Sequence, residues 1–355
     1  MPDINAILSM CVEKKASDVH LTVNLPVSFR IHGRLVNFGG APLTNDDITS
    51  FVKKLAPDHQ LKEFDEKCNL EFGFAFQGGE RFRTSIYKQR SNNAIVMRRI
   101  PSQILNMEAI GLPPIIKKLL DKNHGLILVA GPTGSGKSTT LASMIDYINQ
   151  TDDRHIITIE DPIEYIHPHK KSIINQRELG VDTPSFAQAL KEALRQDPDV
   201  ILVGEMRDPP TIETVLTATE TGHMVFSTVH TFGAARTLDR IIDAFSAHQQ
   251  NQIRTQLSLN LAAVISQELI PRRDQEGRIA AFEIMVITPA IQNLIRKGQT
   301  FNVQNEIQTG AQFGMISLQN QLINLVNRGI ISQEDAIFYA IDQDDVARRL
   351  GIVTK

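Results

Sequence analysis

Hydrophobic residues follow two different spacings in the first hundred residues of the chain. Helical spacing places the apolar side chains of the N-terminal stretch on one face: Ile4, Ile7, Leu8, Cys11 and Val12. Further along, every second residue is apolar, as in a strand with one buried face: Leu70, Phe72, Phe74 and Phe76. Because side chains repeat every 3.6 residues in a helix and every two in a strand, this region is predicted to be a mixed α+β unit.

Turn and capping residues define the other elements of this unit. The predicted strands cover residues 27–31, 34–38, 81–87 and 93–98. His32-Gly33 is predicted to be the two-residue turn of a hairpin between the first two. Thr44 followed by Asp47 resembles a capping box, which predicts a helix that runs towards Leu55.

A different pattern begins after about residue 116. Short apolar runs alternate with longer segments of helical pattern, and the runs are predicted strands at residues 126–130, 156–159, 200–203 and 225–228. Such alternation is typical of a mostly parallel sheet with helices on both faces, so an α/β fold is predicted. From about Ser246 onwards the chain is predicted to be mainly helical. Helix starts are predicted at Thr288-Pro289 and between Ser332 and Asp335.

These patterns predict two domains joined by a linker. The N-terminal α+β domain is assigned to residues 1–100, the linker to 101–116, and the larger domain with its C-terminal helices to 117–355. The linker assignment depends on weak periodicity between prolines, namely Pro101, Pro113 and Pro114.

Composition and charge narrow the possible functions. With 355 residues, 42% of them hydrophobic and 22% charged, the chain is expected to bury a substantial core and not to be disordered. Lys and Arg total 37 against 40 Asp and Glu. A protein that binds along a nucleic acid usually carries a basic surplus, so the balanced charge argues against that function but leaves a local basic patch open.

Cysteine content and hydropathy indicate the cellular location of the protein. Cys11 and Cys68 form no CxxC pair, which favours reduced structural thiols over a zinc site. No apolar run approaches the roughly 20 residues of a membrane-spanning helix, and the N-terminus lacks the pattern of a secretory signal. A cytoplasmic location is expected, with peripheral attachment to a membrane complex left open.

The strongest chemical signal is a complete GxxxxGK[ST] motif that follows the predicted strand at 126–130. The motif residues are Gly131, Pro132, Thr133, Gly134, Ser135, Gly136, Lys137, Ser138 and Thr139. Glycines let backbone N–H groups approach phosphate oxygens, and the following helix N-terminus favours negative charge. Lys137 is expected to reach the β and γ phosphates, and Ser138 to ligate Mg²⁺. The sequence therefore predicts ATP and Mg²⁺ as ligands.

Carboxylates follow two other predicted strands. Glu205 comes after the apolar run at 200–203 and is expected to orient or activate an attacking water, since the carboxyl ends of parallel strands face the ligand crevice. Glu160 and Asp161 follow the run at 156–159 and are candidates to hold Mg²⁺ or to share the general-base role. Adjacent residues point to opposite faces, so Glu160 is favoured for direct contact. The alternative for each is a solvated acid at a strand end.

Two histidines flank the predicted strand at 225–228. His230 follows it and is expected to reach the γ-phosphate position, because this strand is predicted to lie beside the phosphate-loop strand. His223 precedes it and is a weaker candidate for nucleotide contact. A structural role is the alternative for both residues.

Four sequence blocks in this order resemble the secretion-superfamily ATPases of type II secretion and type IV pili. The blocks are the phosphate loop, ITIEDPIEY, ILVGEMRD and TGHMVFSTVH. The resemblance covers nearly the whole chain. It implies a PAS-like N-terminal domain, a RecA-like P-loop ATPase core with a helical C-terminal region, and hydrolysis of ATP.

Within this superfamily the chain resembles the retraction ATPases that power twitching motility. It has no long N-terminal extension and lacks the four-cysteine insert that is common in assembly ATPases. The segment 290–296 resembles the retraction motif AIRNLIRE, although Gln292 replaces an arginine and Lys297 replaces a glutamate.

The resemblance further implies a homohexamer with nucleotide bound between subunits. Arginines of the N-terminal domain would then reach the phosphates, which makes Arg81 and Arg83 candidate catalytic residues; the alternative is a basic strand edge that discourages pairing. The implied partner is a PilC-like pilus platform protein of the inner membrane. Other functions left open are pilus assembly, type II secretion, a nucleic-acid translocase and a nucleotide-gated scaffold without catalysis.

Overall fold

The computed structural model describes residues 3–31, 34–100 and 103–352. The chain divides into two compact units. The first comprises the residues up to Gln103 together with Pro162–Ile166, and the second comprises Ile104–Asp161 and the residues from His167 onwards. Each unit is described below by itself.

The first unit is a six-stranded sheet with helices packed against it. Its strands are β1 (Asp18–Leu21), β2 (Ser28–Ile31), β3 (Arg34–Asn37), β4 (Asn69–Ala75), β5 (Arg81–Gln89) and β6 (Asn92–Ile100). Its helices are α1 (Ile4–Glu13), α2 (Asn45–Leu55) and α3 (Asp58–Lys67). The strand order is β3-β2-β1-β6-β5-β4, and every neighbouring pair is antiparallel.

Local signals in the sequence correctly located most of these elements. The apolar face of α1 is buried, and Phe72 packs into the core with Phe82 of the next strand. At the start of α2 the Thr44 side chain accepts from the Asp47 backbone N–H, and the Asp47 carboxylate accepts in return, so the capping box is confirmed. Strands β2 and β3 pair as predicted, whereas the predicted turn at His32-Gly33 lies outside the described residues.

The second unit contains a seven-stranded sheet. Its strands are β7 (Gly125–Ala130), β8 (His155–Glu160), β9 (Ile173–Glu178), β10 (Val200–Val203), β11 (Met224–Val229), β12 (Leu261–Pro271) and β13 (Arg278–Val286). The order is β13-β12-β7-β11-β10-β8-β9, and every pairing is parallel except that of β12 with β13. The predicted α/β fold with a mostly parallel sheet is therefore confirmed.

Helices cover both faces of this sheet. They are α4 (Ile115–Leu120), α5 (Lys137–Thr151), α6 (Phe186–Ala193), α7 (Pro209–Glu220), α8 (Ala234–Asp243), α9 (Ala247–Asn260), α10 (Pro289–Arg296), α11 (Val303–Thr309), α12 (Leu318–Asn327), α13 (Gln333–Phe338) and α14 (Gln343–Arg349). Side chains of β7 alternate between two separate cores. Ile127 and Val129 pack with α5, and Leu126 and Leu128 pack on the opposite face. None of the described helices is both long and apolar enough to cross a membrane.

The prediction of a mainly helical region after Ser246 is confirmed by the six helices α9 to α14, but it missed two strands. Two of the longest strands, β12 and β13, lie in this region and pair along nine consecutive positions. Their sequences are rich in Ala, Leu and Glu, which favour helices, and polar residues interrupt the alternation of a strand. Pairing of β12 with β7 makes these residues part of the central sheet, and tertiary pairing of this kind overrides local propensity.

The segment that the sequence suggested as a linker is partly built into the second unit. Met107, Leu112 and Ile116 are buried in the core that contains α5. The chain divides between Gln103 and Ile104, and Pro101 lies outside the described residues. Prolines at 113 and 114 precede α4, which suits the N-terminal end of a helix.

The segment that resembles the retraction motif forms α10. Thr288 caps this helix by accepting from the Ile291 N–H, with proline in the first turn as predicted. Ile291 and Ile295 are buried. Lys297 is the C-cap residue and is exposed, so its charge lies where a helix dipole favours a cation.

Candidate functional site

The phosphate loop leaves the sheet at the end of β7, and α5 starts at Lys137 after it. Gly134 and Gly136 have φ angles of 82° and 91°, and Gly131 has a φ of 150°. These conformations strain any residue with a Cβ. The glycines therefore allow the loop to turn tightly into the N-terminus of α5, where free backbone N–H groups favour an anion.

Lys137 lies inside this loop. Its Nζ donates to the carbonyl oxygens of Gly131 and Pro132, each at 2.9 Å, and the residue is only 7% exposed. The ammonium is thus placed among backbone groups that an anionic ligand would approach. Ser138 follows as the second residue of α5 and is half-buried.

Gln267 of β12 lies against the phosphate loop, and no local sequence signal predicted this position. Its side-chain Oε1 accepts from Thr140 Oγ1 at 2.6 Å, which ties α5 to β12. A Cβ added at Gly131 would lie 2.4 Å from the Gln267 carbonyl oxygen, and one at Gly136 would lie 2.8 Å from its Nε2. Close packing against backbone therefore requires glycine at 131, whereas at 136 the positive φ angle is the main reason for glycine.

Glu268, the next residue of β12, is a charged group near Lys137 that sequence reasoning missed. It is 8% exposed. Burial raises the pKa of the Glu268 carboxyl above its ordinary value, and the charge of Lys137 partly offsets this effect. Because β12 was not predicted as a strand, neither Gln267 nor Glu268 was placed beside the loop.

Glu205 and His230 meet at the same edge of the sheet. Ala130 pairs with Val229, and Val203 pairs with Ser227, so the ends of β7, β10 and β11 lie side by side. His230 Nε2 is 3.5 Å from Glu205 Oε2, and its Nδ1 is 3.5 Å from Thr133 Oγ1. The prediction that the strand before His230 neighbours the phosphate-loop strand is confirmed.

The surroundings of His230 favour the neutral form of its ring. Burial and the nearby positive charge of Lys137 lower the pKa of His230, and Glu205 opposes them. Near neutral pH the ring therefore has one donor nitrogen and one acceptor nitrogen. Arg207 forms an ion pair with the other oxygen of Glu205, so this carboxylate is held on two sides.

Glu160 ends β8 in an environment of hydrogen-bond donors. Its Oε1 accepts from Thr158 Oγ1 at 2.6 Å and from Gln176 Nε2 at 3.1 Å. Strand β8 pairs with β10, which brings Glu160 to the edge where Glu205 lies. Asp161 is outside the strand and exposed. The oxygen donors of Glu160 and Ser138 have the chemistry that Mg²⁺ prefers, so the residues present fit this ion.

His223 does not join this group. Its carbonyl oxygen accepts from Gly125 N, and its Nδ1 lies 2.8 Å from the carbonyl oxygen of Ala218. It thus sits where β7 and β11 begin, about 20 Å along the strand from His230 at roughly 3.3 Å per residue. Within this chain His223 therefore lies at the opposite edge of the sheet from His230, and nucleotide contact by His223 stays a prediction.

The two candidate arginines belong to the first unit. Arg81 and Arg83 lie two positions apart on β5, which places them on one face of the strand. Arg83 is exposed and pairs with Glu71 at 3.2 Å. Arg81 is half-buried at the start of the strand.

A parallel sheet with a phosphate loop, a buried lysine and acidic strand ends defines a P-loop nucleotide-binding protein. Comparison with known proteins narrows this class. Residues 1–338 match the family described as Type II/IV secretion system protein, and the chain belongs to that family.

Individual relatives are similar over most of their length. The Type IV pilus retractation ATPase PilT of Pseudomonas aeruginosa is 46% identical over 334 residues, which cover 94% of this chain and 97% of that protein. A twitching motility protein of Neisseria gonorrhoeae is 47% identical over 307 residues, covering 86% and 82%. A crystal structure of the pilus retraction motor PilT with bound ADP has a TM-score of 0.92 at 44% identity, and the match covers 98% of this chain and 100% of the other.

Proposed function

We propose that this protein is an ATPase motor that powers type IV pilus retraction. The observation that carries the proposal is the arrangement of Lys137 inside the phosphate loop with Glu205 and His230 at neighbouring strand ends. Similarity to proteins named for pilus retraction and twitching motility supports the choice of process.

Hydrolysis is assigned to the residues at the carboxyl edge of the sheet. Lys137 neutralises charge on the β and γ phosphates, with the backbone N–H groups of the loop and Thr139 at the start of α5 as further phosphate contacts. Mg²⁺ would supply positive charge that offsets the negative charge developing on the phosphates. Ser138 and Glu160 are proposed to hold it, with Asp161 as a further candidate.

Glu205 is proposed to orient the attacking water and accept its proton. The carboxylate is held by Arg207 and faces His230, so it is fixed in direction. A neutral His230 can donate a hydrogen bond to the γ-phosphate from one nitrogen. After cleavage this hydrogen bond to the γ-phosphate is lost, so the loop after β11 can change position in response to hydrolysis.

The active assembly is proposed to be a homohexamer with sites between subunits. Arg81 or Arg83 of one subunit would stabilise transition-state charge at the site of its neighbour, a contribution worth about 10³–10⁵ in rate in related phosphoryl transfers. Reorientation of the two units during the cycle would act on a pilus platform protein. That partner is proposed to be integral to the inner membrane, with the motor attached peripherally at its cytoplasmic side.

Mixed rings test the arrangement between subunits. At least one of the two single variants, Arg81→Ala or Arg83→Ala, is expected to give inactive or nearly inactive rings, and so is Glu205→Ala. A ring that mixes the relevant arginine variant with Glu205→Ala is expected to regain measurable phosphate release, because some interfaces then combine an intact core with an intact arginine.

The matched control is a mixture of Lys137→Ala with Glu205→Ala. Both changes affect the same unit, so every interface stays defective and no activity should return. Absence of rescue for both arginine variants would contradict the arrangement in trans.

Two functions of other classes make different predictions. A nucleic-acid translocase should retain DNA on a filter and release it as salt rises, because phosphate contacts depend on counterion release; this protein is expected to retain little at either of two salt concentrations. A nucleotide-gated scaffold should bind ATP without releasing phosphate. Pilus assembly and type II secretion would use the same ATP hydrolysis, so only the phenotype of a deletion strain distinguishes them from pilus retraction.

Deletion of the gene in the source bacterium tests the proposed direction of movement. Loss of a retraction motor leaves assembly intact, so cells should carry excess surface pili that do not retract. Loss of surface pili would instead indicate an assembly motor, and unchanged pili with a secretion defect would indicate type II secretion.

A further inference from the structure

The chain makes an unusual excursion directly after Glu160. Strand β8 ends at Glu160, and one residue later Pro162–Ile166 groups with the first unit. The chain returns to the second unit at His167. Any displacement of this five-residue segment is therefore transmitted covalently to Asp161 on one side and His167 on the other.

The returning chain is anchored to the helix that starts at Lys137. Asn149 of α5 donates from Nδ2 to the Pro168 carbonyl oxygen at 2.7 Å, and its Oδ1 accepts from Lys170 N at 3.1 Å. Lys170 Nζ also pairs with Asp146 of α5 at 2.6 Å. Because these contacts fix residues 168–170, His167 is the first residue of the returning chain that a moving segment can displace.

Gln176 connects the two sides of the excursion. This residue of β9 donates from Nε2 to Glu160 Oε1 at 3.1 Å, and its Oε1 accepts from the His167 backbone N–H at 2.8 Å. The side-chain amide of Gln176 thus hydrogen-bonds both the Glu160 carboxylate before the segment and the His167 backbone after it. Thr158 of β8 also donates to the same Glu160 oxygen, at 2.6 Å. The carboxylate therefore has a hydrogen bond within its own strand, and the hydrogen bond from Gln176 additionally fixes its orientation.

We propose that Gln176 is a positioning residue that makes the orientation of Glu160 depend on the position of the segment 162–166. Movement of the first unit that shifts His167 would rotate the Gln176 amide and turn the Glu160 carboxylate. The site would then be competent for hydrolysis in one position of the segment and less so in another. This inference deepens the proposed function, because it rests on the role of Glu160 in ATP hydrolysis.

The test compares Gln176→Ala with Asn175→Ala in the full chain. Asn175 is the preceding residue of β9 on the opposite face, and its side chain lies 2.9 Å from His155 Nε2, so the control also removes one amide and one polar contact. Partners that orient a ligating carboxylate typically contribute 10–100-fold. We expect kcat for Gln176→Ala to fall about 10-fold or more, whereas affinity for ADP and the melting temperature stay near those of Asn175→Ala.

A double-mutant cycle separates positioning from general destabilisation. If Gln176 acts through Glu160, then Gln176→Ala should have almost no further effect on kcat in a Glu160→Gln background. Equal kcat for Gln176→Ala and Asn175→Ala, or effects of Gln176→Ala that multiply with those of Glu160→Gln, would overturn the inference. Failure of the proposed function would look different, because the unaltered protein itself would then release no phosphate from ATP.

Discussion

The Lys137→Ala variant is expected to lose ATP hydrolysis almost completely while it stays folded. The ammonium is buried inside the phosphate loop and donates to the carbonyl oxygens of Gly131 and Pro132. Removal of one preorganised donor to a developing charge typically costs about 10²–10³ in kcat, and Lys137 contributes a full charge as well. Steady-state phosphate release at saturating ATP and Mg²⁺ measures the effect.

The fold should tolerate this change for local reasons. Alanine is a good helix former at the first position of α5, and Pro132 is exposed, so its carbonyl oxygen has access to water. Lys191→Ala on the exposed surface of α6 removes the same charge and is the control; its turnover should match that of the unaltered protein. Wild-type turnover by Lys137→Ala with an intact fold would defeat the assignment of the loop.

The second large effect is expected for Glu205→Gln. The amide keeps the size of the side chain but is a far weaker base, and general acid–base catalysis contributes about 10²–10⁴ in rate. The variant should therefore bind ATP and ADP with affinities close to normal but release phosphate about 10²-fold or more slowly. Nucleotide binding by titration and phosphate release in a single turnover separate the two steps.

Glu213→Gln is the matched control for charge and size. Glu213 is exposed on α7, the helix that follows Glu205 between β10 and β11. Its variant should hydrolyse ATP normally. If Glu205→Gln retained normal kcat, the water-orienting role would have to be assigned elsewhere, with Glu160 the next candidate because it lies at the same strand edge.

The sequence predicted the strand and the helix around the phosphate-loop motif correctly because the signals are local and redundant. The motif from Gly131 to Thr139 requires a strand before it and a helix after it, and both are present. Glu205, Glu160 and His230 were found because each directly follows a short apolar strand. In a parallel sheet that rule places residues from distant parts of the chain at one edge, and the register confirms the neighbouring strand ends.

The same rule explains why His223 does not lie beside His230. The residue precedes its strand, so a parallel arrangement puts it at the opposite edge from His230. The prediction that His223 contacts nucleotide depended on its place in the block TGHMVFSTVH together with His230. It did not use the direction of the strand between the two histidines.

Residues that act through tertiary pairing had no local signal. Gln267 and Glu268 face the site only because β12 pairs with β7, and the composition of β12 suggested a helix. Arg207 lies in an irregular loop whose geometry the sequence does not define. Gln176 belongs to β9, an edge strand that was not predicted because its polar residues hide the apolar alternation.

The central claim is that hydrolysis at this site drives pilus retraction, and it is tested most directly in living cells. A deletion strain would be complemented with the unaltered gene or with Glu205→Gln, and shortening of fluorescently labelled pili would be recorded by microscopy. We expect frequent shortening with the unaltered protein, and long pili that extend but do not shorten with the variant. Retraction at the unaltered frequency with Glu205→Gln would contradict the account.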